Sequence, residues 1–224
     1  MRMTPADLIG EPTALERRFA PEVLYLAGDP ATLDAGQRVS VVGSRKVSDD
    51  GVRRTRALCA ALASRDVVVV SGLAEGVDTI AHRTTMEAGG HTVAVLGSPL
   101  DDVYPRSNRP LFEQIACEHL AVSQFPSGTR VHKGMFPQRN RTMALLTDAT
   151  IIVEAGETSG TRHQGWEAIR LGRSLFLLES VVTSSAASWA AEMLEYGAQV
   201  LTRDSLDDAL DDLPRVGMAH AVAF

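Results

Sequence analysis

Glycines stand at the ends of four apolar, β-branched segments and are followed by small or polar residues. They are Gly43, Gly72, Gly97 and Gly156. Glycine lets a ligand approach the backbone closely, and the unpaired N–H groups at the start of a following helix attract anions. Four such turns at one sheet edge predict a site for a nucleotide or nucleic-acid phosphate. At any single turn, a tight connection without a ligand is the alternative.

Charged groups lie close to two of these turns. Arg45 directly follows the first turn, where a guanidinium indicates a phosphate or carboxylate contact, a plain surface arginine being the alternative. Asp78 and His82 are four residues apart and share a helix face. His82 could act as a general base, but we favour a capping Asp78 that is hydrogen-bonded to the imidazole.

The stretch KGMFPQRNR places Phe136 between Lys133 on one side and Arg139 and Arg141 on the other. Aromatic faces stack on bases while cations hold phosphates, so this pattern suits single-stranded nucleic acid. The alternative is a core phenylalanine among solvated charges. We expect Met135 and Phe136 to lie in a loop, because Gly134 and Pro137 enclose them.

Three carboxylates near the fourth turn, Glu154, Glu157 and Glu167, could serve acid/base chemistry on a ribose, but no nucleophile with an adjacent base accompanies them. The turns match neither GxGxxG nor a Walker loop, which argues against a dinucleotide oxidoreductase or a P-loop ATPase. Cys59 and Cys117 lie in apolar helical segments without metal-ligand spacing, so both are predicted to be inert core residues. We predict no metal and no cofactor.

Seven strand-like segments alternate with helix-length segments, which predicts an α/β fold: an extended Rossmann-like parallel sheet with helices on both faces, in a single domain. Continuous apolar runs such as VVVV and TIIV are typical of strands buried on both faces. The ligand should lie beyond the strands' carboxyl ends, where the strand order reverses. The predicted strands are 38–43, 67–72, 91–97, 120–125, 150–155, 174–179 and 198–201.

The domain is predicted to span residues 37–213. Residues 1–36 contain four prolines and are expected to be a lead-in segment with room for at most one short helix near 12–18. Residues 214–224 are expected to be a flexible tail. No apolar run is long enough to cross a membrane and the start does not resemble a secretory signal, so we expect a cytoplasmic protein without a membrane partner.

The chain of 224 residues is 45% hydrophobic and 22% charged, which fits one globular core. Its net charge of −6 argues against broad nonspecific DNA binding. The segment from Arg130 to Arg141 nevertheless carries cations and no acid. A local basic site is therefore compatible with an acidic protein.

These motifs together resemble the DNA-processing protein A (DprA, or Smf) family. The resemblance covers about residues 21–180 and runs in order through PEVLYLAGD, VSVVGSRKVSDDG, VVVVSGLAEGVDTIAH, HTVAVLGSPLDDVYPRSN, VSQFPSGT, FPQRNR and TIIVEAGETSGT. It implies an extended Rossmann domain that binds single-stranded DNA, helps load the RecA recombinase during natural transformation, forms dimers and has no established catalytic reaction.

The strand-end turns and the resemblance together predict a set of site residues. The phosphate and nucleic-acid contacts would be Gly43, Ser44, Arg45, Ser71, Gly72, Gly76, Lys133, Phe136, Arg139, Asn140, Ser159, Gly160 and Thr161. Asp78 and His82 would shape the pocket.

The chain departs from the family pattern at the ligand edge. Ser123-Gln124 replaces the usual Ser-Glu, Glu179-Ser180 replaces Pro-Gly, and the stretch SGTRHQGWEA also differs. Two other functions therefore stay open: a sensor of a small nucleotide, and a nucleotide hydrolase of the phosphoribohydrolase type. The hydrolases use PGGxGTxxE, which GETSGT approximates, and Glu167 could fill the acidic role.

Overall fold

The computed structural model describes residues 1–157, 159–185 and 187–213, and the predicted tail at 214–224 lies outside them. A nine-stranded sheet runs through the described chain in the order β1-β2-β6-β5-β4-β3-β7-β8-β9. Strands β3 to β9 are parallel, and β1 and β2 pair antiparallel at one edge. The strands are β1 (Arg2–Met3), β2 (Leu24–Gly28), β3 (Arg38–Gly43), β4 (Val68–Ser71), β5 (Thr92–Leu96), β6 (Leu120–Ser123), β7 (Ala149–Glu154), β8 (Ser174–Leu178) and β9 (Gln199–Leu201).

Helices cover both faces of this sheet. They are α1 (Pro5–Ile9), α2 (Ala14–Phe19), α3 (Asp49–Ala63), α4 (Val77–Glu87), α5 (Arg109–Glu118), α6 (Met135–Leu146), α7 (Thr161–Arg170), α8 (Glu179–Val182), α9 (Trp189–Glu195) and α10 (Leu206–Asp211), with 3-10 turns at Pro30–Asp34 and Arg106–Asn108. The extended Rossmann-like class and the seven predicted strands are confirmed, and no strand end differs from its predicted position by more than two residues.

Alternate residues of the central strands pack into separate cores on the two faces. Val69 packs with Leu58 of α3 on one face, whereas Val68 and Val70 pack with Met143 of α6 on the other. Double-sided burial explains why the central strands are continuous apolar runs without polar alternation. It also places α3 and α6 on opposite faces.

The expectation of at most one short helix in residues 1–36 is wrong. Two short helices form there, each started by a capping box, in which Thr4 pairs with Asp7 and Thr13 pairs with Glu16. Strand β2 then pairs antiparallel with β6, so this segment extends the sheet. The prolines are compatible with this because they stand at helix starts or outside the strands.

The two cysteines differ in their surroundings. Cys59 is buried, and burial raises the pKa of its thiol to about 12. Cys117 lies on the exposed side of α5, so the prediction that both cysteines are core residues is wrong for Cys117.

Strand order reverses between β3 and β7. From β3 the chain builds β4, β5 and β6 on one side, and it then returns to add β7 on the other side of β3. Connections that leave two neighbouring strands in opposite directions open a crevice above their carboxyl ends. This topology makes the β3–β7 edge the place to look for a ligand.

Candidate functional site

A cavity of about 460 Å³ opens above the carboxyl ends of β3 and β7, at the reversal of strand order. Its wall combines the loop after β3, the start of α7 and the first turns of α6. The lining residues are Val42, Gly43, Ser44, Arg45, Lys46, Ala74, Asp78, Phe136, Arg139, Asn140, Met143, Gly156, Ser159, Gly160, Thr161 and Gln164.

The loop after β3 is held tightly against its neighbours. The Ser44 N–H donates to the Glu154 carbonyl oxygen at 2.7 Å, and the Val77 N–H donates to the Ser44 carbonyl oxygen at 3.1 Å. Gly76 has φ +74°, and a Cβ there would lie 2.3 Å from the Ser44 oxygen. Only a glycine allows this approach, so Gly76 positions the loop that presents Arg45 to solvent.

Arg45 stands over the ring of Phe136, with 5.8 Å between its guanidinium carbon and the ring centroid. The ring of Tyr104 is tilted against the same phenylalanine at 5.6 Å between centroids. Below the ring, a Cβ on Gly97 would come within 2.6 Å of Phe136 Cδ1. The ring therefore rests on the glycine that follows β5 and keeps part of its surface open to the cavity.

Arg139 and Asp78 form the charged floor of the cavity, and both side chains are buried. Arg139 Nη1 donates to the Val95 carbonyl oxygen at 3.1 Å, and Asp78 accepts hydrogen bonds from the Gly72 and Ala74 N–H groups at 3.1 and 3.3 Å. Burial raises the pKa of Asp78 although the Arg139 charge opposes this shift, and burial lowers the pKa of Arg139. The attraction between the charges of Asp78 and Arg139 keeps the Arg139 guanidinium beneath the cavity.

The start of α7 closes the opposite wall. Thr161 Oγ1 donates to the Gly43 carbonyl oxygen at 3.1 Å, which ties α7 to the end of β3. Ser159 Oγ donates to Thr161 Oγ1 at 2.9 Å, and Asn140 Nδ2 reaches the Gly160 carbonyl oxygen at 3.5 Å. The positive end of a ten-residue helix thus faces the same cavity as Arg45.

Comparison with known proteins identifies the family. The profile of the DNA recombination-mediator protein A family matches residues 12–214. The chain belongs to this family. Among its relatives, the protein Smf of Synechocystis is 38% identical over 188 residues, which are 83% of this chain and 47% of that protein. The chain thus spans about half the length of that curated relative.

Two solved structures of the recombination-mediator protein A family have the same fold. DNA processing protein A from Streptococcus pneumoniae has a TM-score of 0.83 and 32% identity, over 96% of this chain and 74% of that one. DNA processing protein A from Helicobacter pylori, described by its single-stranded DNA binding mode, has a TM-score of 0.78 and 28% identity, over 96% of this chain and 98% of that one.

Most of the residues predicted for the phosphate and nucleic-acid site line the main cavity. Gly72 lines an adjoining cavity of about 70 Å³, together with Tyr104 and Glu75. Sequence reasoning missed Lys46, Gln164 and Tyr104. Lys46 directly follows Arg45, so the argument that placed Arg45 at the anion site could also have identified Lys46. Those predicted residues that line the main cavity are Gly43, Ser44, Arg45, Asp78, Phe136, Arg139, Asn140, Ser159, Gly160 and Thr161.

Four predicted residues lie outside the two cavity linings, and one of them is Gly76, which positions the loop after β3. Ser71 is buried in β4 and donates its hydroxyl to the Val41 carbonyl oxygen at 2.7 Å. Lys133 is exposed just before α6 and outside the cavity lining. His82 is fully buried, and its Nδ1 lies 2.7 Å from Thr92 Oγ1.

The predicted hydrogen bond between Asp78 and His82 is wrong. Asp78 accepts from the amides of the preceding loop, whereas His82 pairs with Thr92 of β5. Burial lowers the pKa of His82 to about 3, so the ring is neutral at physiological pH. A deeply buried neutral imidazole outside the cavity is not placed to act as a general base.

The expectation that Met135 and Phe136 lie in a loop is also wrong, because α6 begins at Met135 and Phe136 lies in its first turn. Pro137 is accommodated there, since first-turn N–H groups have no intrahelical acceptor to lose. The helix gives Phe136, Arg139 and Asn140 a fixed spacing around the cavity.

The three carboxylates considered for acid/base chemistry are engaged elsewhere. Glu154 accepts from the Ser48 N–H at 3.0 Å, Glu157 accepts from the Ser188 N–H at 3.0 Å, and Glu167 pairs with two arginines. Within the described ranges, no three His, Cys, Asp or Glu side chains gather as metal ligands. No helix in those ranges is long and apolar enough to span a membrane.

Proposed function

We propose that the protein binds single-stranded DNA in the cavity between β3 and β7 and acts in DNA processing and recombination. The observation that carries this proposal is the placement of the Arg45 guanidinium 5.8 Å from the Phe136 ring, in the wall of an open cavity. A ring beside a cation offers stacking to a base and attraction to the adjoining phosphate, whatever the base.

The charges of the cavity support an anionic ligand. Arg45, Lys46 and Arg139 line it with Asp78 as the one carboxylate among the lining residues. The chain as a whole carries a net charge of −6, so this positive site is local. A local site favours a strand that enters the cavity over a duplex lying across the surface.

Two of the three departures from the family pattern lie outside the cavity lining, whereas the third, the stretch SGTRHQGWEA, contributes Ser159, Gly160, Thr161 and Gln164 to it. Gln124 bonds with Gln138 and Thr142 outside the cavity lining, and Glu179 and Ser180 lie at the start of α8. The family relationship supports carrying the ligand class of the Helicobacter protein to this chain as part of the proposal.

A small nucleotide is the second candidate. A volume of about 460 Å³ falls in the usual range for small-molecule pockets, roughly 300–1,000 Å³. A nucleotide hydrolase has no comparable support, because Glu154, Glu157 and Glu167 are held by hydrogen bonds and ion pairs to other residues.

The family resemblance extends the proposal to partners. The proposed partners are a second copy of the chain and a RecA-type recombinase, because both fit a role in recombination. The proposed location is the cytoplasm, where such a role would be carried out. Light scattering at several protein concentrations tests self-association, and pull-down with purified RecA tests the second partner.

The test of the ligand compares a fluorescent short oligothymidine with a panel of free nucleotides, in direct binding and in competition. The proposal expects the oligonucleotide to bind and each free nucleotide to compete only weakly. A nucleotide that binds more tightly than the oligonucleotide would establish the second candidate instead.

A further inference from the structure

Three arginines surround a single phenylalanine on the face formed by α2, α6 and α7. The guanidinium carbons of Arg141, Arg18 and Arg170 lie 5.1, 5.6 and 5.7 Å from the centroid of the Phe19 ring. These four residues form the Phe19 patch. The cavity and the patch have no residue in common.

The patch carries more positive than negative charge. Among the carboxylates of the described residues, only Glu167 is paired with these arginines: Arg141 Nε donates to it at 3.3 Å and Arg170 Nη1 donates to it at 3.0 Å. In the part of the chain that the structure describes, no ion pair joins Arg18 to a carboxylate. Like charges gathered around one ring repel each other, so an anion from solution would stabilise the arrangement.

The guanidiniums remain accessible to such an anion. The Glu167 side chain is only 11% exposed, whereas those of Arg141 and Arg170 are 34% and 45% exposed. The carboxylate thus lies beneath the arginines, and their outer N–H groups face solvent. Guanidiniums in this setting are suited to phosphate oxygens.

The patch lies next to the cavity along two helices. Arg141 follows Asn140, which lines the cavity, and α7 runs from Thr161 in the cavity wall to Arg170 at its last position. That run corresponds to about 14 Å at 1.5 Å per residue. A strand that leaves the cavity along α7 reaches the patch within a few nucleotides.

We propose that the Phe19 patch is a second phosphate-binding surface, which takes the backbone of the same single strand after it leaves the cavity. This inference rests on the proposed function, because the cavity must hold the strand first. The cavity would bind bases and phosphates at one end, while the patch adds backbone contacts for longer strands.

The test measures binding of two oligothymidines, of about 6 and about 20 nucleotides, across a range of salt concentrations. The variant is Arg18→Gln with Arg170→Gln. Its matched control is Arg53→Gln with Arg56→Gln on α3, on the opposite face of the sheet. Arg53 forms an i,i+3 ion pair with Asp50, as Arg170 does with Glu167, and the control removes the same charge.

The proposal expects the patch variant to lose about 3- to 10-fold affinity for the long strand and to lower its salt slope by about 1.4, since each contact contributes about 0.7. The short strand and the control should be unaffected. Arg18→Gln alone removes no ion pair seen in the described chain, so it repeats the test without disturbing the fold. Equal losses of affinity for both strand lengths, or the same loss in the control variant, would overturn the proposal for the Phe19 patch. Binding of the strands by the wild-type protein would still uphold the proposed function. If the wild-type protein binds neither strand, both proposals are overturned.

Discussion

The guanidinium of Arg45 stands 5.8 Å from the centre of the Phe136 ring, although 91 positions separate the two residues in the chain. Arg45 is presented by the loop after β3, and Phe136 by the first turn of α6. The two elements meet because the chain returns from β6 to the far side of β3. The pair joins charge and stacking at the point where the sheet topology opens a crevice.

Arg45→Ala should weaken oligothymidine binding by about 10- to 100-fold, which corresponds to about 1.5–3 kcal/mol for a hydrogen bond to a charged group. The side chain is exposed, so thermal stability should not change. Fluorescence anisotropy and a thermal melt measure the two quantities. Arg56→Ala on α3 is the control for loss of one exposed charge. Normal binding by the Arg45 variant would mean that the anion site lies elsewhere.

Phe136→Ala should cost about 1–3 kcal/mol of oligonucleotide affinity through lost stacking. The ring is half-buried against Gly97 and Tyr104, so the free energy of unfolding should fall by less than the ~3–5 kcal/mol typical of a core phenylalanine. Phe136→Leu keeps apolar volume without an aromatic face, so it should recover stability but not affinity. Recovery of both by leucine would show that the ring serves packing alone.

Gly160→Ala tests the start of α7. A Cβ at this position meets no atom within 4 Å, and the backbone is already helical at φ −60° and ψ −16°. The melting temperature should therefore stay the same or rise slightly, as compatible Gly→Ala changes usually do. If a phosphate rests against the helix end, the added methyl group should lower affinity. Unchanged affinity would place the phosphate away from α7.

The folded protein should lose stability in mild acid because His82 is buried in its neutral form. Its pKa is lowered to about 3 in the folded protein from an ordinary 6.5, so the unfolded state takes up the proton first as the pH falls. The stability that neutral His82 contributes is complete above pH 6.5 and is lost between 6.5 and 3, at up to about 1.4 kcal/mol per pH unit.

Urea unfolding at pH about 7.5 and about 5 measures this loss, in a range where most carboxyls remain ionised. His82→Gln should flatten the decline. His163→Gln replaces an exposed imidazole on α7 and serves as the control, which should keep the decline of the wild-type protein. An unchanged decline in His82→Gln would show that this ring is not the source.

The sheet could be predicted from sequence because its central strands are buried on both faces. Burial on both faces is visible in the sequence as continuous runs of β-branched residues, such as Val67 to Val70. β1 and β2 were missed, since β1 has two residues and β2 depends on antiparallel pairing with β6, distant in the chain. Such pairing leaves no local periodicity.

The cavity was predicted in part for the same reason. Glycines after parallel strands must share one edge, and Gly43 and Gly156 line the same cavity. The direction of a side chain is decided by tertiary packing, so the partner of His82 and the burial of Arg139 could not be read from spacing. The start of α6 was hidden by Pro137, which reads as a loop residue but fits a first helical turn.

The most direct test of the central claim is the salt dependence of binding to a short oligothymidine, measured beside a duplex of equal length. With about two to four phosphate contacts and a slope of about 0.7 for each, log affinity should fall with log salt at a slope of about 1.4–2.8. The single strand should bind more tightly than the duplex at every salt concentration. Equal affinity for both, or binding that does not respond to salt, would contradict a cavity that takes single-stranded DNA by its phosphates.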